Sequence, residues 1–102
     1  MSMNGSDSLA KILKTNRGEV LRIAAKHGAR NVRVFGSVAR GEARLDSDVD
    51  FLVEMVTGKS LFDIARMAVD LEDLLHCDVD IVEQRSLHWY IRDHILEEAK
   101  PL

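Results

Sequence analysis

The sequence predicts an α/β (α+β) layer fold, a small mixed β-sheet with helices packed on it. Three observations point there. Apolar residues recur at helical spacing in four segments and in short extended runs in three, and the two kinds interleave along the chain. The length is 102 residues with 46% hydrophobic side chains, enough for one core and no more. Nothing in the interior reads as a linker, and the only proline is Pro101. The expectation is a single domain over residues 1–102, with residues 1–7 disordered.

Each element has its own local reason. Leu9, Ile12 and Leu13 form a short apolar face behind Asp7 and Ser8. Asn16 with Glu19 three residues later resembles a capping box. It opens a helix that carries Val20, Ile23 and Ala24, and Gly28 stands where a left-handed cap ends it. Residues 32–35 (Val-Arg-Val-Phe) make a strand that runs straight into Gly36-Ser37. Residues 40–47 read as a loop and 49–53 as a second strand. After the turn Thr57-Gly58-Lys59, Ser60 caps a helix whose inward residues are Leu61, Ile64, Ala65, Ala68, Leu71 and Leu75. Residues 79–82 are the third strand. Ser86 opens a last helix with Leu87, Ile91, Ile95 and Ala99 on one face. A full helix joins the second and third strands, which permits parallel or mixed pairing without choosing between them.

Charge narrows the function. Fourteen Lys and Arg stand against 17 Asp and Glu, a net charge of −3. A protein that grips a nucleic-acid backbone shows a basic excess, so direct nucleic-acid binding is not expected. The single cysteine, Cys77, excludes an internal disulfide and a multi-cysteine zinc site. No run reaches the roughly 18 apolar residues of a membrane span, and residues 1–8 are too polar for a signal peptide. A cytoplasmic protein in a reducing, ATP-containing compartment, without membrane association, is the expectation.

The strongest signal is where the aspartates sit. Asp is depleted from strands, yet Ser47-Asp48-Val49-Asp50-Phe51-Leu52-Val53 and Asp78-Val79-Asp80-Ile81-Val82 both carry it at alternating positions. Side chains at i and i+2 leave a strand on one face, about 7 Å apart. Neighbouring strands would bring three or four carboxylates to one patch. Two unit charges at that spacing repel by roughly 2 kcal/mol at an effective dielectric near 20. A divalent cation removes the repulsion, and hard oxygen ligands suit Mg²⁺.

A second signal is the glycine-serine turn. Gly36 after a hydrophobic strand allows a sharp bend and a close approach of ligand to the main chain. Ser37 adds a hydroxyl and an N–H at the start of a short helical segment, a natural phosphate cradle. Arg40 lies three residues on, and its guanidinium fork matches phosphate oxygens.

Gly36-Ser37, then ten residues, then Asp48-Val49-Asp50 resembles the signature of the DNA polymerase β-like nucleotidyltransferase superfamily. The longer string from Phe35-Gly36-Ser37-Val38-Ala39-Arg40-Gly41-Glu42 to Ser47-Asp48-Val49-Asp50-Phe51-Leu52-Val53 resembles the minimal nucleotidyltransferase (MNT) group, antitoxin partners of HEPN-domain ribonuclease toxins. The likeness spans about residues 31–83. It implies a nucleotidyltransferase-like fold and Mg²⁺-dependent transfer of AMP from ATP to a hydroxyl, with two metal ions. The implied acceptor is a tyrosine of a partner HEPN toxin in a hetero-oligomer, which makes the chain the antitoxin of a type VII pair. By the same resemblance Asp48 and Asp50 match the two metal-binding aspartates and Asp80 the third catalytic carboxylate. Gly36 and Ser37 match the triphosphate-binding turn, and Arg40 the arginine beside it. The extra domain with which larger superfamily members hold an acceptor is not expected here.

The remaining candidates read as structural. His27, His76, His88 and His94 show no ligand spacing and are expected at the surface or at caps. Cys77 is expected as a small hydrophobe beside a strand, Glu83 as a solvated strand end, and at least one ring of Trp89-Tyr90 in the core. Two other readings use the same site residues. One is a nucleotide-binding antitoxin that masks its toxin without catalysis; the other is a small-molecule nucleotidyltransferase completed by a partner subunit.

Overall fold

Alternation along one strand organises the molecule. In β2 (Val49–Met55), Val49, Phe51, Val53 and Met55 point to one side and are buried, while Asp50, Leu52 and Glu54 point to the other, where Leu52 is buried and the two acids are half-buried. The computed structural model describes residues 5–44 and 46–102, with side chains from Leu9 onward. β1 (Ala29–Phe35) lies antiparallel to β2 and sets Phe35 opposite Asp50. β3 (Val79–Glu83) lies parallel on the other side and sets Asp80 opposite Asp50. A short β4 (Lys100–Pro101) pairs with the free edge of β1, giving the order β3-β2-β1-β4. The sheet is therefore mixed, as expected.

Three helices cover the buried face. Leu9 and Leu13 of α1 (Gly5–Thr15), Val20, Ile23 and Ala24 of α2 (Arg17–Lys26), and Met67, Leu71 and Leu75 of α3 (Leu61–Leu75) form one cluster with the inward residues of β1 and β2. α3 is the crossover that lets β2 and β3 run parallel. Its start is fixed by a capping box, with the Ser60 hydroxyl accepting from the Phe62 N–H and Asp63 returning to the Ser60 N–H at 2.8 Å. A half-buried pair joins the end of α2 to α3: the His27 ring nitrogen meets Asp70 at 2.7 Å and holds that carboxyl below its ordinary range.

Several local expectations give way to tertiary context. Gly5–Asp7, expected to be disordered, are helical; the rest of that segment, residues 1–4, lies outside the described residues. Asn16 precedes α2 but caps nothing there. Its Nδ2 donates to the Ile12 carbonyl at 2.8 Å and closes α1 instead, while Glu19 pairs with Arg22 at 2.8 Å. In α3 the buried stripe centres on Met67, Leu71 and Leu75. At 100° per residue this leaves Leu61 about 80° from its middle and Ala65 further still, so Leu61 is 81% exposed.

The last helix differs most. Residues 84–86 form a 3₁₀ turn, and α4 (Trp89–Glu98) starts after His88 rather than at Ser86. Neither aromatic ring enters the core: Trp89 is 82% and Tyr90 66% exposed, their rings meeting edge to face. β4, too short to leave a period-2 signal, was not legible beforehand.

Phe51→Ala, at a fully buried position on the central strand, is expected to lower unfolding stability by about 3–5 kcal/mol. Phe62→Ala, on the exposed side of α3, should stay within about 0.5 kcal/mol of wild type. Urea denaturation followed by circular dichroism checks both.

Candidate active site

The site begins where β1 ends. Gly36 has φ +73°, the left-handed region that glycine enters without a side-chain clash. A Cβ at this position would also run into Oδ2 of Asp50, so the turn admits no side chain on either count. Beyond Gly36 the chain winds one compact turn: the Arg40 N–H donates to the Gly36 carbonyl at 3.1 Å and the Glu42 N–H to the Ser37 carbonyl at 2.8 Å. The turn keeps half-buried Ser37 next to Gly36 and brings Arg40 back towards it.

The carboxylates come from the neighbouring strands. Register sets Asp50 of β2 directly beside Asp80 of β3. The Val49 N–H donates to the Asp78 carbonyl at 2.9 Å and ties the start of β2 to the approach to β3, with Asp48 just before it. Asp48 and Asp80 are exposed and Asp50 is half-buried. Burial pushes the Asp50 carboxyl above its ordinary range, the charges of Asp80 and Asp48 push it further, and Arg40 pulls it partly back. Asp48, Asp50, Asp80, Gly36 and Arg40 thus act on one small region, with Ser37 adjoining. Glu83 does not join them. It sits at the far end of β3, opposite Val53, and pairs with Arg85 at 3.2 Å.

Among the described residues no group of three or more His, Cys, Asp or Glu side chains is placed to hold a metal ion. Mg²⁺ keeps several waters and takes one or two carboxylates together with phosphate oxygens. A half-buried aspartate crowded by like charges is the kind of hard-oxygen donor such an ion relieves.

One residue of the region was not found from the sequence. The Glu98 carboxylate, at the end of α4, accepts the Gly36 N–H and pairs with Arg40 at 3.1 Å. Nothing in the local pattern distinguishes Glu98 from Glu97 beside it; pairing of β4 with β1 is what carries it there. Cys77 is half-buried next to the core, and burial pushes its thiol up, with the Asp78 charge adding to the effect.

Comparison with known proteins gives a consistent picture. The model of the nucleotidyltransferase domain family matches residues 9–102. The chain is 37% identical over 99 residues to the protein adenylyltransferase MntA of Thermococcus cleftensis, covering 97% of each. A solved candidate minimal nucleotidyltransferase is 52% identical, with a TM-score of 0.83 over 91% of this chain and 95% of that one. The fold alone is shared, at 19% identity and a TM-score of 0.66, with a chain from the complex of a tri-AMPylated Shewanella oneidensis HEPN toxin and its MNT antitoxin, covering 86% of this chain and 69% of that one.

Gly36→Ala should lower stability by about 1–3 kcal/mol, through both the φ and the clash with Asp50. Asp50→Asn should act the other way in metal-free buffer, raising stability by about 1 kcal/mol or less once solvent screening is allowed for. The sign follows from linkage. Asp50 holds its proton to higher pH in the folded state than in the unfolded one, so its contribution is present at low pH and lost as pH rises through the raised pKa. Thermal melts at pH 3 and pH 7 should therefore show no advantage for Asp50→Asn at the lower pH and a Tm higher by a few degrees at the upper one.

Proposed function

The chain belongs to the nucleotidyltransferase domain family, and on that premise we propose that it is a protein adenylyltransferase that moves AMP from ATP to a hydroxyl of a partner protein. The observation that carries the proposal is the pairing of Asp50 with Asp80 on neighbouring strands, directly against a glycine turn that also places Arg40. The name of the Thermococcus cleftensis relative supports protein as the acceptor class. The partner we propose is a HEPN-domain toxin, with a tyrosine hydroxyl as acceptor and the chain as its antitoxin in a type VII pair. The complex whose fold is shared pairs an AMPylated HEPN toxin with an MNT antitoxin, and the MNT-like string from Phe35 to Val53 favours a HEPN partner for this chain.

In this mechanism the turn at Gly36 and Ser37 cradles the β- and γ-phosphates with N–H and hydroxyl donors, and Arg40 offsets their charge. Asp48, Asp50 and Asp80 would hold two Mg²⁺ ions, whose positive charge would offset the charge on the triphosphate and on the departing pyrophosphate. The acceptor oxygen forms a bond to the α-phosphorus as the bond to the pyrophosphate oxygen breaks and its electron pair leaves with pyrophosphate. Asp80, exposed beside the reacting centre, takes the acceptor's proton and returns it to solvent. Most of the acceleration then comes from positioning and charge neutralisation.

The acceptor must come from outside. A chain with a radius of gyration of 13.3 Å and its carboxylates along the rim where β2 and β3 begin has room for a nucleotide and little beside it. A tyrosine carries its hydroxyl far enough from its own backbone to reach such a rim.

Incubation with a HEPN protein of the same genome, α-labelled ATP and Mg²⁺ should label that protein and raise its intact mass in steps of one AMP. Asp48→Asn and Asp80→Asn should each reduce labelling by about 10²-fold or more. Labelling at the wild-type rate by either variant would overturn the site assignment, and an unlabelled partner would overturn the acceptor.

A further inference from the structure

We propose that Glu98 is a built-in occupant of the phosphate-binding turn, seated on the donors that a triphosphate tail uses, so that nucleotide enters by displacing it. The identity of the displacing anion rests on the adenylyltransferase reading above. Glu98 Oε1 accepts the Gly36 N–H, and Arg40 Nη1 lies 3.2 Å from Oε1 and 3.1 Å from Oε2. A carboxylate and a phosphate offer these donors the same thing, a compact anion whose oxygens match a guanidinium fork and a main-chain N–H. The Glu98 side chain is only 15% exposed, so it is seated in the turn and not merely near it. Arg40 is also paired with Glu42, which leaves its guanidinium doubly neutralised before any ligand arrives.

Glu98 opposes a second anion in two ways. It fills the donors, and its charge adds to the like-charge field on Asp50. It is ionised at neutral pH: burial pulls its carboxyl upward, but the Gly36 N–H and the Arg40 guanidinium outweigh this and hold it below the ordinary carboxylate range. Its seat is fixed from one side. Two residues on, Lys100 pairs with Val34, and Arg17 Nε donates to the Leu102 carbonyl at 2.7 Å. From the other side the hold is weak, because α4 has no fully buried residue and exposes Trp89, Tyr90 and Ile91. Little apolar burial resists a shift of its last turn.

The test is titration calorimetry with a non-hydrolysable ATP analogue plus Mg²⁺, and separately with AMP. The proteins are wild type, Glu98→Gln, Glu98→Ala and, as a control for charge alone, Glu97→Gln on the exposed neighbour. Glu98→Gln keeps the size of the side chain and an oxygen for the Gly36 N–H, so it also serves if the alanine variant fails to fold. The analogue should bind both Glu98 variants about threefold to tenfold more tightly than wild type, with AMP affinity unchanged and Glu97→Gln within about twofold. Equal or weaker analogue binding by folded Glu98→Gln, with wild type still binding and transferring AMP, overturns this inference alone and makes Glu98 a brace for the turn. No triphosphate binding by wild type overturns the adenylyltransferase reading and this inference together.

Discussion

Like charge held where two neighbouring strands begin is the constraint from which the rest of the site follows. Parallel pairing of β2 with β3 puts Asp50 and Asp80 side by side, with Asp48 just before β2 and its charge acting on Asp50. Nothing in folding rewards that arrangement, since Asp50 is partly withdrawn from water among its own kind. The sheet imposes it: Phe51, Val53 and Val49 are buried between helices and neighbouring strands, and their burial fixes the phase of the whole strand. Apolar packing on one face thus determines electrostatics on the other.

The turn after β1 answers that charge with donors. Gly36 lets the main chain pass close to the Asp50 carboxylate because it has no side chain to hold it off, and one wound turn returns Arg40 to the same place. Under the proposed adenylyltransferase activity, the acidic residues on one side and the anion donors on the other would receive a polyphosphate and its counter-ions. Glu98 complicates that symmetry. It places a further carboxylate among the donors, which couples the phosphate turn to α4 and, through β4, to the far edge of the sheet.

Most of the site was readable because its chemistry is written locally. Asp48, Asp50, Gly36, Ser37 and Arg40 lie within fifteen residues, and aspartates alternating inside a hydrophobic strand break a propensity rule conspicuously. Asp80 stood out for the same reason on a separate segment, although its neighbour Asp78, equally visible, reaches the region through a main-chain carbonyl. Glu98 was not readable, because it looks like any solvated glutamate near a helix end. Asn16 and Glu19 show the converse: a good capping pattern was overruled when the carbonyl of Ile12 offered the amide a nearer partner.

The sequence by itself determined the alternation of helices and strands, the single core, and the candidate acidic and phosphate-binding residues, because these depend on periodicity and on residue types that few structural roles tolerate. Tertiary structure alone decided that β3 runs parallel to β2, that the stripe of α3 centres on Met67, that Trp89 and Tyr90 face outward, and that Glu98 reaches Gly36. The physical reason is sequence separation: contacts between segments about thirty to sixty residues apart are selected by how whole layers pack, and no local pattern records that choice.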